Sequence, residues 1–292
     1  MRTIRAAAVL ALLAALAAPA TAQDFHVDPT FLHRHLPDIA VGKAGLSSAT
    51  AAWRPVFGEG DANSGILKGV SRFGELSVAA KGASARVRYA REENVIVIRE
   101  GDGSILYDGK ANPVKADDFV YIPPGVEFSV QAGARPLKAV ITGFKIPEGV
   151  TITTPAAMPV ANISEVALTE VAGHPNSARY RLLMGDTASK RDRLAVAHTM
   201  VSLYLLELAP GGTNAPHHHE LQEEIYLLLD GSGEMVAGSG MNGIEGKYPA
   251  RPGDAYFYRA NATVGFYNAA DKPARILALR NTAPLGIGLR DR

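Results

Sequence analysis

The chain has 292 residues, 47% of them hydrophobic, with 30 basic against 29 acidic side chains and no cysteine. That is enough apolar material for one large core or two ordinary ones. The balanced charge, with no basic stripe or block, excludes an electrostatic grip on nucleic acid, and the lack of cysteine excludes disulfides, thiolate nucleophiles and thiolate metal ligands.

Residues 1–22 have the pattern of an export signal. Arg2 and Arg5 open it, Ala6 to Ala18 is a short apolar stretch, and Ala20-Thr21-Ala22 is a small-x-small cleavage site before Gln23. The stretch is short for a bilayer span and a polar sequence follows it, so the expectation is a periplasmic or secreted protein with no membrane contact once the signal is removed. Residues 23–65, with Pro29, Pro37 and Pro55 and little alternation, read as an N-terminal arm with at most short strands or turns. His33 and His35 within it read as a surface or interface pair, and His26 has no partner signal.

Residues 66–146 carry the signals of β structure. Val95-Ile96-Val97-Ile98 runs up to the turn Gly101-Asp102-Gly103, Phe119 to Ile122 is stopped by Pro123-Pro124-Gly125, and Ala139 to Thr142 is a further short strand. Residues 147–162, with Pro147, Pro155 and Pro159, form a connector of extended backbone. From Ile163 to His198 the pattern is weak, with Asp186 to Arg193 an exposed charged loop. A second β block follows, with strands at Val201 to Leu208, Ile225 to Leu229, Ala255 to Tyr258, Val264 to Tyr267 and Arg275 to Leu279, and a glycine-rich hairpin from Gly238 to Gly246. The blocks overlay as one repeat used twice: Glu92 through Gly101 on Gln222 through Gly231, and Asp118 through Ile122 on Asp254 through Tyr258.

The chemistry concentrates between Pro216 and Gly231. Strand alternation sends His217 and His219 to one face and His218 to the other. Glu224, returning on the neighbouring strand, can meet the pair, and two neutral imidazoles with one carboxylate make a three-ligand divalent-metal set with open positions. Glu223 is the alternative carboxylate. His198, at the start of a strand, reads as structural rather than as a distant ligand.

Gly211-x5-His217-x-His219-x4-Glu224-x6-Gly231 resembles the first conserved motif of the cupins, and Pro252-Gly253-Asp254-Ala255-Tyr256-Phe257-Tyr258 through Asn268 resembles the second. With the repeat, the chain resembles a bicupin. The resemblance implies an all-β fold of two tandem double-stranded β-helix (jelly-roll) barrels behind an N-terminal arm, the first over 66–146 and the second over 163–292. It implies one divalent ion (Fe, Mn, Ni, Cu or Zn) on His217, His219 and Glu224. The fourth ligand of the usual cupin, a histidine, falls on Val264, and its neighbours Thr263, Phe266 and Tyr267 offer no replacement donor. Val264, Phe266 and Tyr258 are then expected to line the pocket, and Tyr226 to point its hydroxyl towards substrate. In the first barrel the ligand positions fall on Val87, Tyr89, Asn94 and Phe128, which read as a structural or dimerising half; the alternative there is a metal-free pocket in which Arg86 or Arg88 holds an anion.

The leading functional reading is an exported metal-dependent enzyme for a small polar or aromatic molecule, with dioxygenase chemistry ahead of decarboxylase, isomerase or hydrolase chemistry. The rival is a non-catalytic binding protein for a carbohydrate, organic acid or metal. A homodimer is compatible with either.

Overall fold

The computed structural model describes residues 29–171, 173–238 and 245–282. The expected export signal, His26 and the middle of the glycine-rich hairpin lie outside them. Among the described residues, strands alternate with turns and only Leu36–Asp38 and Ile163–Glu165 form short 3-10 helices.

Four sheets make two barrels. In the first, a six-stranded sheet runs in the order Val160–Asn162, Asp118–Ile122, Glu92–Glu100, Leu137–Lys145, Val70–Val78, Ala51–Gly58. It packs on a four-stranded sheet of Val87–Arg88, Glu127–Ala132, Asp102–Tyr107 and Lys110–Lys115. In the second, a seven-stranded sheet runs Phe31–His35, Asp254–Tyr258, Gln222–Asp230, Ala274–Thr282, Met200–Leu208, Ala178–Asp186, Leu194–Ala197. Its four-stranded partner is Thr213–His218, Thr263–Tyr267, Gly233–Gly238 and Glu245–Ala250.

The two large sheets face each other and share a core. In Gln222–Asp230, Tyr226 and Leu228 enter the second barrel while Ile225 and Leu227 enter the shared core. Ile96 and Ile98 likewise fill the first barrel, and Val95 and Val97 the shared core. Burial on both faces is why these strands read as unbroken apolar runs instead of alternating ones.

The arm differs from its expectation. Ala51–Gly58 is an eight-residue strand of the first barrel, with Trp53, Val56 and Phe57 buried. Pro55 masked it in the sequence; it sits at an edge of the sheet, where the register shifts between Pro55 and Phe57. Phe31–His35 pairs with Asp254–Tyr258 of the second barrel, and Val160–Asn162, at the end of the expected connector, pairs with Asp118–Ile122 of the first. Each half therefore lends a strand to the other. Asp118 Oδ1 accepts from Asn162 Nδ2 at 2.7 Å, and Asp254 Oδ1 lies 2.9 Å from His35 Nδ1 and 3.1 Å from His33 Nε2.

Two glutamates at equivalent positions lock the barrels together. Glu93 accepts from the backbone N–H groups of His198, Thr199 and Met200 at 2.7, 2.9 and 2.7 Å. Glu223 accepts from those of Lys68, Gly69 and Val70 at 2.6, 2.8 and 3.2 Å. Burial works to raise the Glu93 carboxyl, but the bonds from His198, Met200 and Thr199 hold it below the usual carboxylate range.

Candidate metal centre

His217 lies near the end of the strand Thr213–His218, His219 just beyond it, and Glu224 near the start of Gln222–Asp230. The turn between the strands brings them together. His218 is exposed, His217 and His219 are half-buried, and Glu224 is buried. Among the described residues, these three form the His/Cys/Asp/Glu group whose ligand atoms all lie within 4.8 Å of one another.

The local bonding prepares each donor. His217 Nδ1 donates to the Ala215 carbonyl at 2.8 Å, which leaves the Nε2 lone pair free. His219 Nε2 is 3.5 Å from Glu224 Oε2. Tyr204 donates to Glu224 Oε1 at 2.6 Å, whereas Glu224 Oε2 is buried with no hydrogen-bond partner. Burial, opposed by Arg280 and the Tyr204 bond, pushes the Glu224 carboxyl up to about 7. Burial and then Arg280 push His219 down to about 3, and burial also lowers His217. The imidazoles are thus neutral near pH 7, so the His219–Glu224 contact is not an ion pair. A free lone pair on His217, the His219 imidazole and a carboxylate with an orphaned buried oxygen are a donor set that a divalent ion satisfies.

Val264 stands directly opposite His217 in the sheet and is buried in the barrel core. The fourth-ligand position is therefore in the expected register and carries no donor atom.

Residues 204–280 match a family model described as a cupin domain. A deletion mutant of oxalate decarboxylase from Bacillus subtilis has a similar fold, with a TM-score of 0.65 at 12% identity over 88% of this chain and 79% of that one. A second Bacillus subtilis oxalate decarboxylase structure, from a study of its Mn(II) centres, gives 0.65 at 13% identity over the same shares. The formate complex of the Lactobacillus farciminis enzyme gives 0.64 at 13% identity over 88% of each chain. No curated protein sequence matches the chain. The chain has a bicupin architecture, with a cupin domain over residues 204–280.

Several residues sit elsewhere than the sequence suggested. Tyr226 is fully buried, and its hydroxyl accepts from Asn214 Nδ2 at 2.9 Å and lies 3.4 Å from that of Tyr204. It supports Tyr204, and through it Glu224, instead of meeting substrate. Tyr258 and Phe266 are core residues, with the Tyr258 hydroxyl turned to the Val236 carbonyl at 3.3 Å. Glu223 points to the opposite face of its strand and is spent on the inter-barrel bonds, so the carboxylate of the set is Glu224. His198 bridges the Tyr121 hydroxyl and the Thr153 amide, each at 2.8 Å.

The cleft at the centre is lined instead by His174, Tyr180, Ser202, Tyr204 and Arg280 around the two histidines. Arg280 Nη1 is 3.2 Å from His219 Nε2, and Arg280 Nε is 3.8 Å from Glu224 Oε1. The signal for Arg280 was alternation: Ile276 and Ala278 face the barrel interior, and Arg280 is next on that face. His174 had no such signal, because it comes from a loop. Its Nδ1 donates to Asn214 Oδ1 at 3.0 Å and its ring centroid is 5.4 Å from that of His217.

The first barrel holds Val87, Tyr89, Asn94 and Phe128 at the corresponding positions, with Val87 opposite Phe128 as His217 is opposite Val264. A side chain fills the centre there. Arg72 donates to Asn94 Oδ1, Glu92 Oε2 and Glu59 Oε2 at 2.6, 2.6 and 2.7 Å, and its guanidinium lies 3.7 Å from the Tyr89 ring centroid. Arg86 and Arg88, the anion holders of the alternative reading, are turned outwards, to Glu127 and to the Gly125 carbonyl.

Proposed function

We propose that this bicupin is an exported, metal-dependent enzyme that transforms a small polar or aromatic molecule at the mouth of its second barrel. The observation that carries the reading is the orphaned Glu224 Oε2, with the ligand atoms of His217, His219 and Glu224 all within 4.8 Å of one another. A divalent ion held by His217, His219 and Glu224 supplies a Lewis-acid centre with coordination positions to spare. The chain's own residues do the rest: Tyr204 and Tyr226 fix the carboxylate, the Ala215 carbonyl fixes His217, and the apolar barrel below excludes water. Dioxygenase chemistry ranks first because three protein ligands leave adjacent places for substrate and oxygen. Decarboxylation, the reaction named for the oxalate decarboxylases of similar fold, ranks second.

The test is metal analysis of protein recovered from its native compartment, followed by oxygen uptake and carbon dioxide release across a substrate panel. About one metal ion per chain with turnover supports the enzyme; stoichiometric ligand capture without turnover points to a binding protein. Val264→His sharpens the result. Tighter metal with lost activity supports an open three-ligand centre, whereas gained activity means that the fourth ligand was needed.

A further inference from the structure

Each barrel brings one arginine to the same point, but from opposite members of one strand pair. In the first barrel Arg72, third residue of Val70–Val78, faces Gly143, seventh residue of Leu137–Lys145. A Cβ at Gly143 would lie 2.4 Å from Arg72 Nη1, so the glycine makes room for a guanidinium locked by three partners. In the second barrel the third and seventh residues of the corresponding strands, Met200–Leu208 and Ala274–Thr282, are Ser202 and Arg280, again paired. The small residue and the arginine have changed strands.

Their partners differ more than their positions. Arg72 is neutralised by Glu59 and Glu92 and hydrogen-bonded by Asn94. Arg280 has one carboxylate nearby, Glu224 at 3.8 Å, and that group belongs to the metal set. Arg280 Nε is buried with no hydrogen-bond partner, and so is the hydroxyl of Ser202, a fully buried residue that lines the same cleft. Two unpaired donors on neighbouring strands, one cationic, are costly unless an acceptor arrives. With a dication on two neutral imidazoles and one carboxylate, Arg280 leaves the mouth of the barrel with uncompensated positive charge.

We propose that Arg280 and Ser202 form an anion subsite beside the metal ligands, and that the substrate carries a carboxylate-class group which this subsite holds. The guanidinium supplies the charge, the Ser202 hydroxyl a second donor, and the metal ligands lie next to the rest of the molecule. This deepens the metal-enzyme reading and rests on it for the identity of the bound molecule as substrate.

The test uses the full mature chain loaded with zinc, a redox-silent ion, and titrated with benzoate and its neutral isostere benzamide by saturation-transfer NMR. Benzoate is expected to bind at least tenfold more tightly than benzamide. Arg280→Gln is expected to weaken benzoate about 10- to 100-fold, the range of a charge-assisted hydrogen bond, and to leave benzamide and zinc stoichiometry unchanged. Ser202→Ala is expected to weaken benzoate about 3- to 10-fold, and Arg280→Lys to retain part of the preference, which separates charge from a folding defect. Equal affinity for benzoate and benzamide, or unchanged benzoate affinity in Arg280→Gln, overturns the subsite. Protein that takes up no zinc instead sinks the metal reading, and the same titrations on that zinc-free protein still decide the role of Arg280.

Discussion

The first barrel ends at a guanidinium and the second at a metal-ligand set, on backbones that correspond strand for strand. At the same four positions one has Val87, Tyr89, Asn94 and Phe128, and the other His217, His219, Glu224 and Val264. Asn94 offers one neutral acceptor oxygen where Glu224 carries a carboxylate, and the cation it meets, Arg72, is covalently part of the chain. The difference shows how one fold serves two ends. A tethered cation with its counter-charges supplied seals a barrel as a structural element. Clustered neutral imidazoles and an unsatisfied carboxylate suit the other barrel to a cation from solution. The largest expected effect tests that division: His219→Ala should weaken zinc binding by about a thousandfold or more, roughly 4 kcal/mol, as one of three ligands. Tyr89→Ala should leave it unchanged. Calorimetric titration of both proteins decides, and comparable losses in the two would end the distinction.

Next in size is the seal of the first barrel. Arg72→Met leaves Asn94, Glu59 and Glu92 facing an apolar side chain, and breaking such a buried network on one side costs about 3–5 kcal/mol. Denaturant unfolding should show that loss with metal stoichiometry intact. A stability within about 1 kcal/mol of wild type would mean that the two glutamates, which are partly exposed, are relieved by water.

Much of this architecture was legible in the sequence because it rests on period-2 patterning and spacing. The His217-x-His219-x4-Glu224 pattern and the repeat of Glu92 through Gly101 placed both barrels and the donor set in register. What stayed hidden depended on which strands face one another. Nothing in the chain order says that Ser202 meets Arg280, or that Glu223 and Glu93 reach across to amides more than a hundred residues away. Tyr226 was misplaced because alternation gives the face of a side chain and not its depth: it does point inwards, but Tyr204 stands between its hydroxyl and Glu224. Strand exchange at Phe31–His35 was invisible because its partner, Asp254–Tyr258, lies more than two hundred residues along the chain.

The inter-barrel glutamates give a third way to probe the comparison. Glu93→Ala strands the amides of His198, Thr199 and Met200 and should cost about 3 kcal/mol. The carboxyl is held below its unfolded value, so its stabilisation is fully present above an unfolded pKa near 4.3 and is lost as pH falls through the lower folded value. Glu93→Gln should therefore remove stability at pH 7 and little at the acid end, and flatten the acid limb of the stability curve. An acid limb unchanged in this variant would show that Glu93 does not carry that linkage.

The smallest effect reads the protonation of the donor set itself. In the metal-free protein burial places the Glu224 carboxyl near 7 and His219 near 3, with His217 also lowered. An incoming ion must then displace a single proton, the one on Glu224, whenever the pH is below about 7. Zinc affinity should be flat above that point and fall about tenfold per pH unit beneath it, close to 1.4 kcal/mol per unit. A site with ordinary values, a carboxyl near 4.3 and two imidazoles near 6.5, would instead lose affinity by about a hundredfold per unit below pH 6 as two protons compete. Proton release measured by titration in two buffers of different ionisation enthalpy distinguishes one proton from two. Two would mean that solvent reaches the imidazoles freely. The contrast with the first barrel would then lie in its side chains alone and not in how dry each centre is kept.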